Sequence, residues 1–326
     1  MLPVVKVVGV GGAGGNAVVA MSQRDLHGAE LLAFNTDAQA LSGLGDIRTM
    51  ALGERATRGL GAGGRSEVGR AAALESCGPI AREFANTDMV FVTVGMGGGT
   101  GTGAAPIVAH AARASGALVV GVVSKPFMFE GLKRRRAANE GLTLLEEQVD
   151  ALLVIENDRL LNGGDLTIAE AMGLADEVLC DAVTGIGDLV GNPGIVNLDF
   201  AHVRGVLQDG GRAVMGRGSA TSEEGGALAA VERAIACPLL DDDSVAGAQR
   251  ILLHLAAGPE LPLRAVERAS MRLEEVAHPD AEIVFGVVHS EALVGHAEAT
   301  VIATCIDADA AKPAQPAQPR NALVML

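Results

Sequence analysis

The sequence predicts an α/β protein with a parallel sheet covered by helices, a long central helix, and a second, smaller α+β domain. Three observations lead there. Short apolar runs without alternation recur through the first half and are separated by helical patterns, as in strands buried on both faces. One long helical pattern, Leu166 to Leu189, ends at the breaker Gly191-Asn192-Pro193-Gly194. Past it, helices and strands mix differently. At 326 residues the chain can build two cores.

The first run, Val4–Val10, is β-branched and stops at glycines. Glu30–Phe34, Met89–Val94, Ala117–Val123 and Ala151–Ile155 read as further strands of the same sheet. Helices are expected near Asn16–Gln23, Glu67–Phe84, Ala104–Ala114 and Lys133–Gln148. After the breaker, helical patterns cover Gly225–Cys237 and Pro262–Ala277. Strand-like runs there cover Arg250–Ala256, Glu282–His289 and Ala297–Cys305. Asp307–Leu326, with KPAQPAQP, reads as a flexible tail.

Composition removes several function classes. Aromatic residues make up 2% of the chain, with no Trp and no Tyr, so a base-stacking platform is excluded. A net charge of -15 argues against a nucleic-acid backbone or anionic lipid as partner. The cysteines, Cys77, Cys180, Cys237 and Cys305, form no Cys-x-x-Cys pair and are expected as isolated, buried thiols. His27, His110, His254, His278, His289 and His296 show no metal spacing and read as structural or surface residues. The N-terminus lacks a basic flank, and no run of about 18 apolar residues occurs. A soluble, cytoplasmic protein is expected, without direct membrane insertion.

Gly9, Gly11 and Gly14 form G-x-G-x-x-G after a strand and before a helix. Three readings compete: a dinucleotide fingerprint with Asp37 as the ribose acid, a mononucleotide phosphate cradle, and glycines required for packing. A second loop, Gly97 to Gly103, carries five glycines and two threonines. Such a run is entropically costly and hard to justify as packing; it suits a backbone wrapped around an anion. A third, Gly59 to Gly64, precedes another helix. A dehydrogenase needs neither, and no G-x-x-x-x-G-K-[ST] is present.

The loop GMGGGTGTGAAP (Gly95–Pro106) resembles the signature of the tubulin/FtsZ superfamily, in the wording of its FtsZ branch. VGVGGAGGNAV (Val8–Val18), NTDAQAL (Asn35–Leu41), TRGLGAGGRSEVGR (Thr57–Arg70), KPFMFEGLKRR (Lys125–Arg135), NDRLL (Asn157–Leu161) and PGIVNLDFAHVR (Pro193–Arg204) agree in order. VMGRGSA, CPLL and VIAT carry the resemblance to the end of the second domain.

The resemblance implies a tubulin/FtsZ-like fold and a GTPase that polymerises head to tail into division filaments. Its ligands would be GTP and GDP, with Mg2+ held mainly through the phosphates. The implied GTP-binding domain is residues 1–171, the central helix 172–190, the C-terminal domain 191–306 and the tail 307–326. Gly12, Ala13, Gly14, Gly15 and Asn16 would hold phosphate and ribose, and Gly101, Thr102 and Gly103 the β- and γ-phosphates. Glu130 and Arg134 would meet the ribose and nearby phosphate, and Asn157 the guanine. The base-reading acid falls at Glu177, with Asp176 able to share the role.

In such proteins GTP is hydrolysed between subunits, by a loop reading N-x-D-x-x-D whose carboxylates orient the attacking water. Here it reads Asn197-Leu198-Asp199-Phe200-Ala201-His202, so His202 replaces the second acid. A neutral imidazole has one acceptor nitrogen where a carboxylate accepts several bonds. Slow turnover is expected, with the ring acting either as a base or, once protonated, as a cationic stabiliser. If the loop opens a helix, Asp199 and His202 face the same way. The chain stops at RNALVML without the short tail peptide that docks onto membrane tethers, so the usual adaptors are not expected as partners. A non-hydrolysing scaffold that co-assembles with an active relative is the alternative, and an oxidoreductase resting on Gly9, Gly11 and Gly14 the remote one.

Overall fold

The computed structural model describes residues 3–24, 26, 28–163, 166–191, 198–237 and 245–306. The loop containing Asn197 and the tail from 307 onward lie outside them. Six strands follow the apolar runs or lie between them: β1 (Val5–Val10), β2 (Glu30–Asn35), β3 (Arg48–Ala51), β4 (Met89–Gly95), β5 (Leu118–Lys125) and β6 (Ala151–Glu156). The second half adds β7 (Gly211–Thr221), β8 (Ala248–Ala257), β9 (Glu282–His289) and β10 (His296–Ile306). All belong to one sheet in the order β3-β2-β1-β4-β5-β6-β7-β10-β8-β9.

β1 to β6 are mutually parallel wherever they pair, as expected for strands buried on both faces. β7 belongs to both halves. Gly211, Arg212 and Ala213 continue the parallel ladder against Ala151, Leu152 and Leu153, and from Val214 the strand pairs antiparallel with β10. The sequence reading missed β7 because GRAVMGRGSAT alternates glycine and arginine with apolar residues. Tertiary contact overrides that weak propensity.

The helices are α1 (Gly11–Met21), α2 (Ala38–Ser42), α3 (Glu54–Thr57), α4 (Ser66–Glu75), α5 (Cys77–Glu83), α6 (Thr100–Ala114) and α7 (Leu132–Glu146). They continue with α8 (Ile168–Gly191), α9 (Phe200–Leu207), α10 (Ala227–Ile235) and α11 (Leu263–Val276). The helix expected over Glu67–Phe84 is two, α4 and α5, meeting at Ser76, whose hydroxyl accepts a hydrogen bond from the Gly53 N–H (2.9 Å). Ala72, Phe84, Val108, Leu142 and Leu145 cover one face of the parallel strands. Val18, Met21, Leu179, Val183 and Val203, from α1, α8 and α9, cover the other. α8 runs on past β6, so Ile186 shares a core with Met215, Leu252 and Ile302 of the second half. α10 and α11 close the far face there through Val231, Ala269 and Leu273.

Cys180 is buried, as expected. Cys77 is not: it opens α5 on the outer surface, while Cys237 and Cys305 are half-buried and all four thiols are free. His254 is structural. Burial, with Arg217 nearby, pushes its imidazole down to about 4. No helix among the described residues is long and apolar enough to cross a membrane.

Gly218 shows how tightly the second half is packed. A Cβ there would stand 2.2 Å from Ala230 O and 2.5 Å from Ala234 N, both backbone atoms of α10. Gly218→Ala should therefore destabilise the chain by about 3 kcal/mol, the upper end for overpacking. A thermal melt with unchanged midpoint would refute this.

Candidate functional site

β1 leads straight into α1, and β4 leads through residues 96–99 into α6. Neither helix has a side-chain cap. Their first N–H groups are therefore free to attract an anion at the carboxyl edge of the sheet. The two ends meet. A Cβ on Gly11 would lie 2.8 Å from Gly101 N, and one on Gly101 would lie 2.6 Å from Val94 Cγ2 and 3.2 Å from Val10 O. Gly14 is equally confined, with Thr93 O 2.6 Å from the place its Cβ would take. Gly12 has nothing within 4 Å and faces outward with Ala13 and Asn16. Beside them opens a cavity of about 430 Å³, lined by Gly11, Gly12, Gly15 and Asn16 and by Asn35, Asp37 and Leu44.

The expectation that the second glycine run cannot be explained by packing is corrected here. A Cβ on Gly103 would lie 2.0 Å from Ser66 O, so α4 requires that glycine, and its N–H already bonds Gly99 O (3.2 Å). Among the described residues, the N–H groups of Gly101 and Thr102 show no backbone acceptor. The Thr102 hydroxyl accepts from the Gly97 N–H (2.8 Å) and braces the loop. The Thr36 and Thr100 hydroxyls, 2.6 Å apart, join the second loop to the end of β2. Sequence reasoning took the Thr100 hydroxyl as an extra donor to the anion and gave Thr36 no role, although Thr36 lies in the quoted segment NTDAQAL.

The third glycine loop is fastened to the same place, through Ala38 N–H to Gly59 O (3.0 Å) and Gly61 N–H to Thr36 O (3.1 Å). Asp37 has a structural task of its own. Its carboxylate caps α2 by accepting from Gln39 N (2.9 Å) and Ala40 N (3.2 Å). The cap explains Asp37 without a ribose, which weakens the second support of the dinucleotide reading.

Glu130, just ahead of α7, and Arg134, in its first turn, come together as an ion pair, and Glu130 also accepts from Phe127 N (3.0 Å). The start of α7 rests on the second loop, where a Cβ on Gly97 would lie 2.8 Å from Arg134 O. Asn157, at the end of β6, is buried at 5% exposure, and among the described residues its Oδ1 has no donor partner. A buried acceptor left open in this way is costly unless a ligand meets it. Phe127 packs on Ala171 and Ala175 of α8, next to Asp176. Burial pushes the Asp176 carboxyl up to about 6. Glu177 is exposed and contributes to the field at Arg24, which pairs with Asp181.

Asp199 and His202 are brought together elsewhere. Asp199 caps α9, its Oδ1 accepting from the His202 N–H (2.9 Å) and lying 2.9 Å from His202 Nδ1. Just along α9, Arg204 reaches the carbonyl oxygens of Asp88 and Gly116 (3.4 Å each), ahead of β4 and β5. The pair thus sits at the amino edge of the sheet, across the molecule from the glycine loops. Among the described residues no cluster of three or more His, Cys, Asp or Glu side chains could hold a metal ion.

The raised Asp176 value has a stability consequence. A carboxyl held above its usual 3.8 costs stability once ionised, so the loss grows as pH rises from about 4 to about 6 and stays constant above. Asp176→Asn should raise the melting temperature of the nucleotide-free chain at neutral pH, with the gain fading below about pH 4. Equal gains at both pH values would contradict the assignment.

Comparison with known proteins shows the family. The model of the tubulin/FtsZ family GTPase domain matches residues 4–165, and that of the FtsZ family C-terminal domain matches residues 211–307. The cell division protein FtsZ 1 of Rhizobium meliloti is 49% identical over 314 residues, which is 96% of this chain and 53% of that protein. The cell division protein FtsZ of Pseudomonas putida is 46% identical, over 95% of this chain and 78% of its own. A solved FtsZ dimer of M. jannaschii superposes with a TM-score of 0.87 at 38% identity, covering 93% of this chain and 88% of that one. The chain spans about half the length, 53%, of the Rhizobium meliloti and Bartonella bacilliformis relatives. Uncapped helix ends on three interlocked glycine loops, a β-sheet shared by two halves and these matches point one way: the chain belongs to the FtsZ branch of the tubulin/FtsZ family.

Proposed function

We propose that this protein binds GTP and GDP at the carboxyl edge of its sheet and stacks head to tail into filaments that hydrolyse GTP at each junction. The observation that carries this is the separation of the site into two halves. The glycine loops lie past the ends of β1 and β4, whereas Asp199 and His202 lie near their beginnings. A strand of six or seven residues spans about 20 Å. The two halves of one chain therefore cannot meet, but the amino edge of one copy can meet the carboxyl edge of the next. A heterologous contact of this kind gives open filaments. Leu60, Met128, Phe129 and Leu132 stand exposed around the carboxyl edge, as suits a surface that another copy covers. The solved dimer of the M. jannaschii relative supports self-association.

The residues suit the ligand. Phosphate oxygens would take the free N–H groups of Gly12, Ala13, Gly101 and Thr102, and the Glu130–Arg134 pair would reach the ribose and a phosphate. Guanine presents two adjacent N–H donors, which Asp176 can accept; Asn157 would take a further polar edge of the base. Asp176 carries this role in preference to Glu177 because it is the half-buried one. Mg2+ would be held mainly through the phosphates, whose charge it neutralises. In this reading residues 1–171 bind the nucleotide, 172–190 form the central helix, and 191–306 supply the loop with Asn197, Asp199 and His202. The relatives are named for cell division; in this reading the protein acts there, in the cytoplasm, with an FtsZ relative as a further filament partner.

His202 slows turnover without abolishing assembly, because the water loses one of two carboxylates that would orient it. Phosphate release from GTP should therefore rise steeply above a critical protein concentration, and His202→Asp should raise the rate several-fold. An identical rate for the variant would refute slow turnover. Bound GTP with no phosphate at any concentration would replace the enzyme by a non-hydrolysing scaffold.

A further inference from the structure

We infer that His202 is the general base of the hydrolysis and that Asp199 is its positioning residue, an inference that rests on the GTPase reading above. The sequence left two roles open for the ring, a neutral base or a protonated stabiliser of phosphate charge. The contact at the head of α9 orients the ring as a base requires, and the pH dependence of the rate separates the two roles.

Asp199 Oδ1 lies 2.9 Å from His202 Nδ1 and also accepts the backbone N–H of His202 (2.9 Å). An ionised carboxylate has no proton to give, so the hydrogen of this contact belongs to Nδ1. In a neutral imidazole the other nitrogen, Nε2, is then the acceptor, with its lone pair directed away from Asp199. Both side chains are more than half exposed in the single chain. The oxygen that caps the helix is thus already committed to two donors. Nε2 is the basic atom left to face a nucleotide on the adjoining copy.

Among the described residues, the charged groups around α9 leave the ring to Asp199. Arg204, on the same helix, turns to the carbonyls of Asp88 and Gly116 and lies 5.4 Å from the centroid of the Phe200 ring. Arg250, from β8, bonds Gly205 O and Gln208 O. Asp209, just past the helix, pairs with Arg113, and the Asp88 carboxylate accepts from Val4 N–H.

The step balances without another reactant. The oxygen of water attacks the γ-phosphorus of GTP in the adjoining copy as one of its O–H bonds breaks, and the proton passes to Nε2. The bond from the γ-phosphorus to the β–γ bridging oxygen breaks, and its electron pair leaves with GDP. Asp199 then faces an imidazolium, which returns the proton to solvent or phosphate.

The test is the rate of phosphate release at saturating GTP and Mg2+ against pH, between about pH 5 and 8 where an imidazole changes charge. The full chain is used well above its critical concentration, with filament mass followed by sedimentation at each pH. The wild-type rate per assembled subunit should rise with pH to a plateau. His202→Gln should lower the plateau on the order of 100-fold and flatten the profile. Asp199→Asn, which still caps the helix, should lower the plateau at least about tenfold with filament mass unchanged. His202→Asp should remove the imidazole-dependent acid limb. A profile that keeps its acid limb in His202→Gln overturns the inference, as does a wild-type rate that climbs as pH falls. If the wild type assembles but releases no phosphate, the GTPase reading falls, and this inference with it. Hydrolysis with the wrong pH dependence removes only the base.

Discussion

The contact between two backbones, at Gly11 and Gly101, is the constraint on which the rest of the molecule depends. Each residue leaves a different strand of the parallel sheet, and a single methyl group on either would strike the other loop or the strand beneath it. Because nothing intervenes, the amino ends of α1 and α6 converge, and their unpaired N–H groups sum into one electropositive spot. The chain as a whole carries a charge of -15. An anion is therefore held by oriented peptide dipoles close at hand, not by the field of the whole protein.

Much of this was legible in the sequence, because the residues with the least side chain mark the closest approaches. The glycine runs announced a phosphate cradle, and the apolar runs before them fixed the parallel strands. What the sequence did not reveal was the reason for each glycine. Gly103 reads as a phosphate contact but is required by Ser66 of α4, and Asp37 reads as a ribose acid but caps α2. Gly103 depends on a residue far along the chain, which local pattern cannot supply, whereas the Asp37 cap is local and was hidden by the competing ribose reading. β7 escaped for the same reason as Gly103: Gly218 is spare because α10 lies on it, 2.2 Å from an added Cβ. Asn157 and Asp176 were legible only through family resemblance; their open acceptor and raised carboxyl belong to burial, which appears only with the fold.

In the proposed function, the glycine loops and the Asp199–His202 pair at opposite edges of the same strands make the single chain an incomplete catalyst. Each copy carries one half of the site at either end. Neither edge is specialised at the expense of folding. The amino edge uses a helix cap that α9 needs in any case, and the carboxyl edge uses helix ends that no side chain closes.

The double membership of β7 bears on how the two halves of the molecule can move. Its first three residues are laced to β6, and the remainder is laced to β10 in the opposite sense. Between Ala213 and Val214 the strand changes partners without a loop. A swing of the distal strands against the nucleotide half therefore need not open either ladder; it can be taken up as twist along one extended segment. β7 has the form of a torsion bar, and the shared core across it, Ile186 with Met215, Leu252 and Ile302, sets how far it can twist.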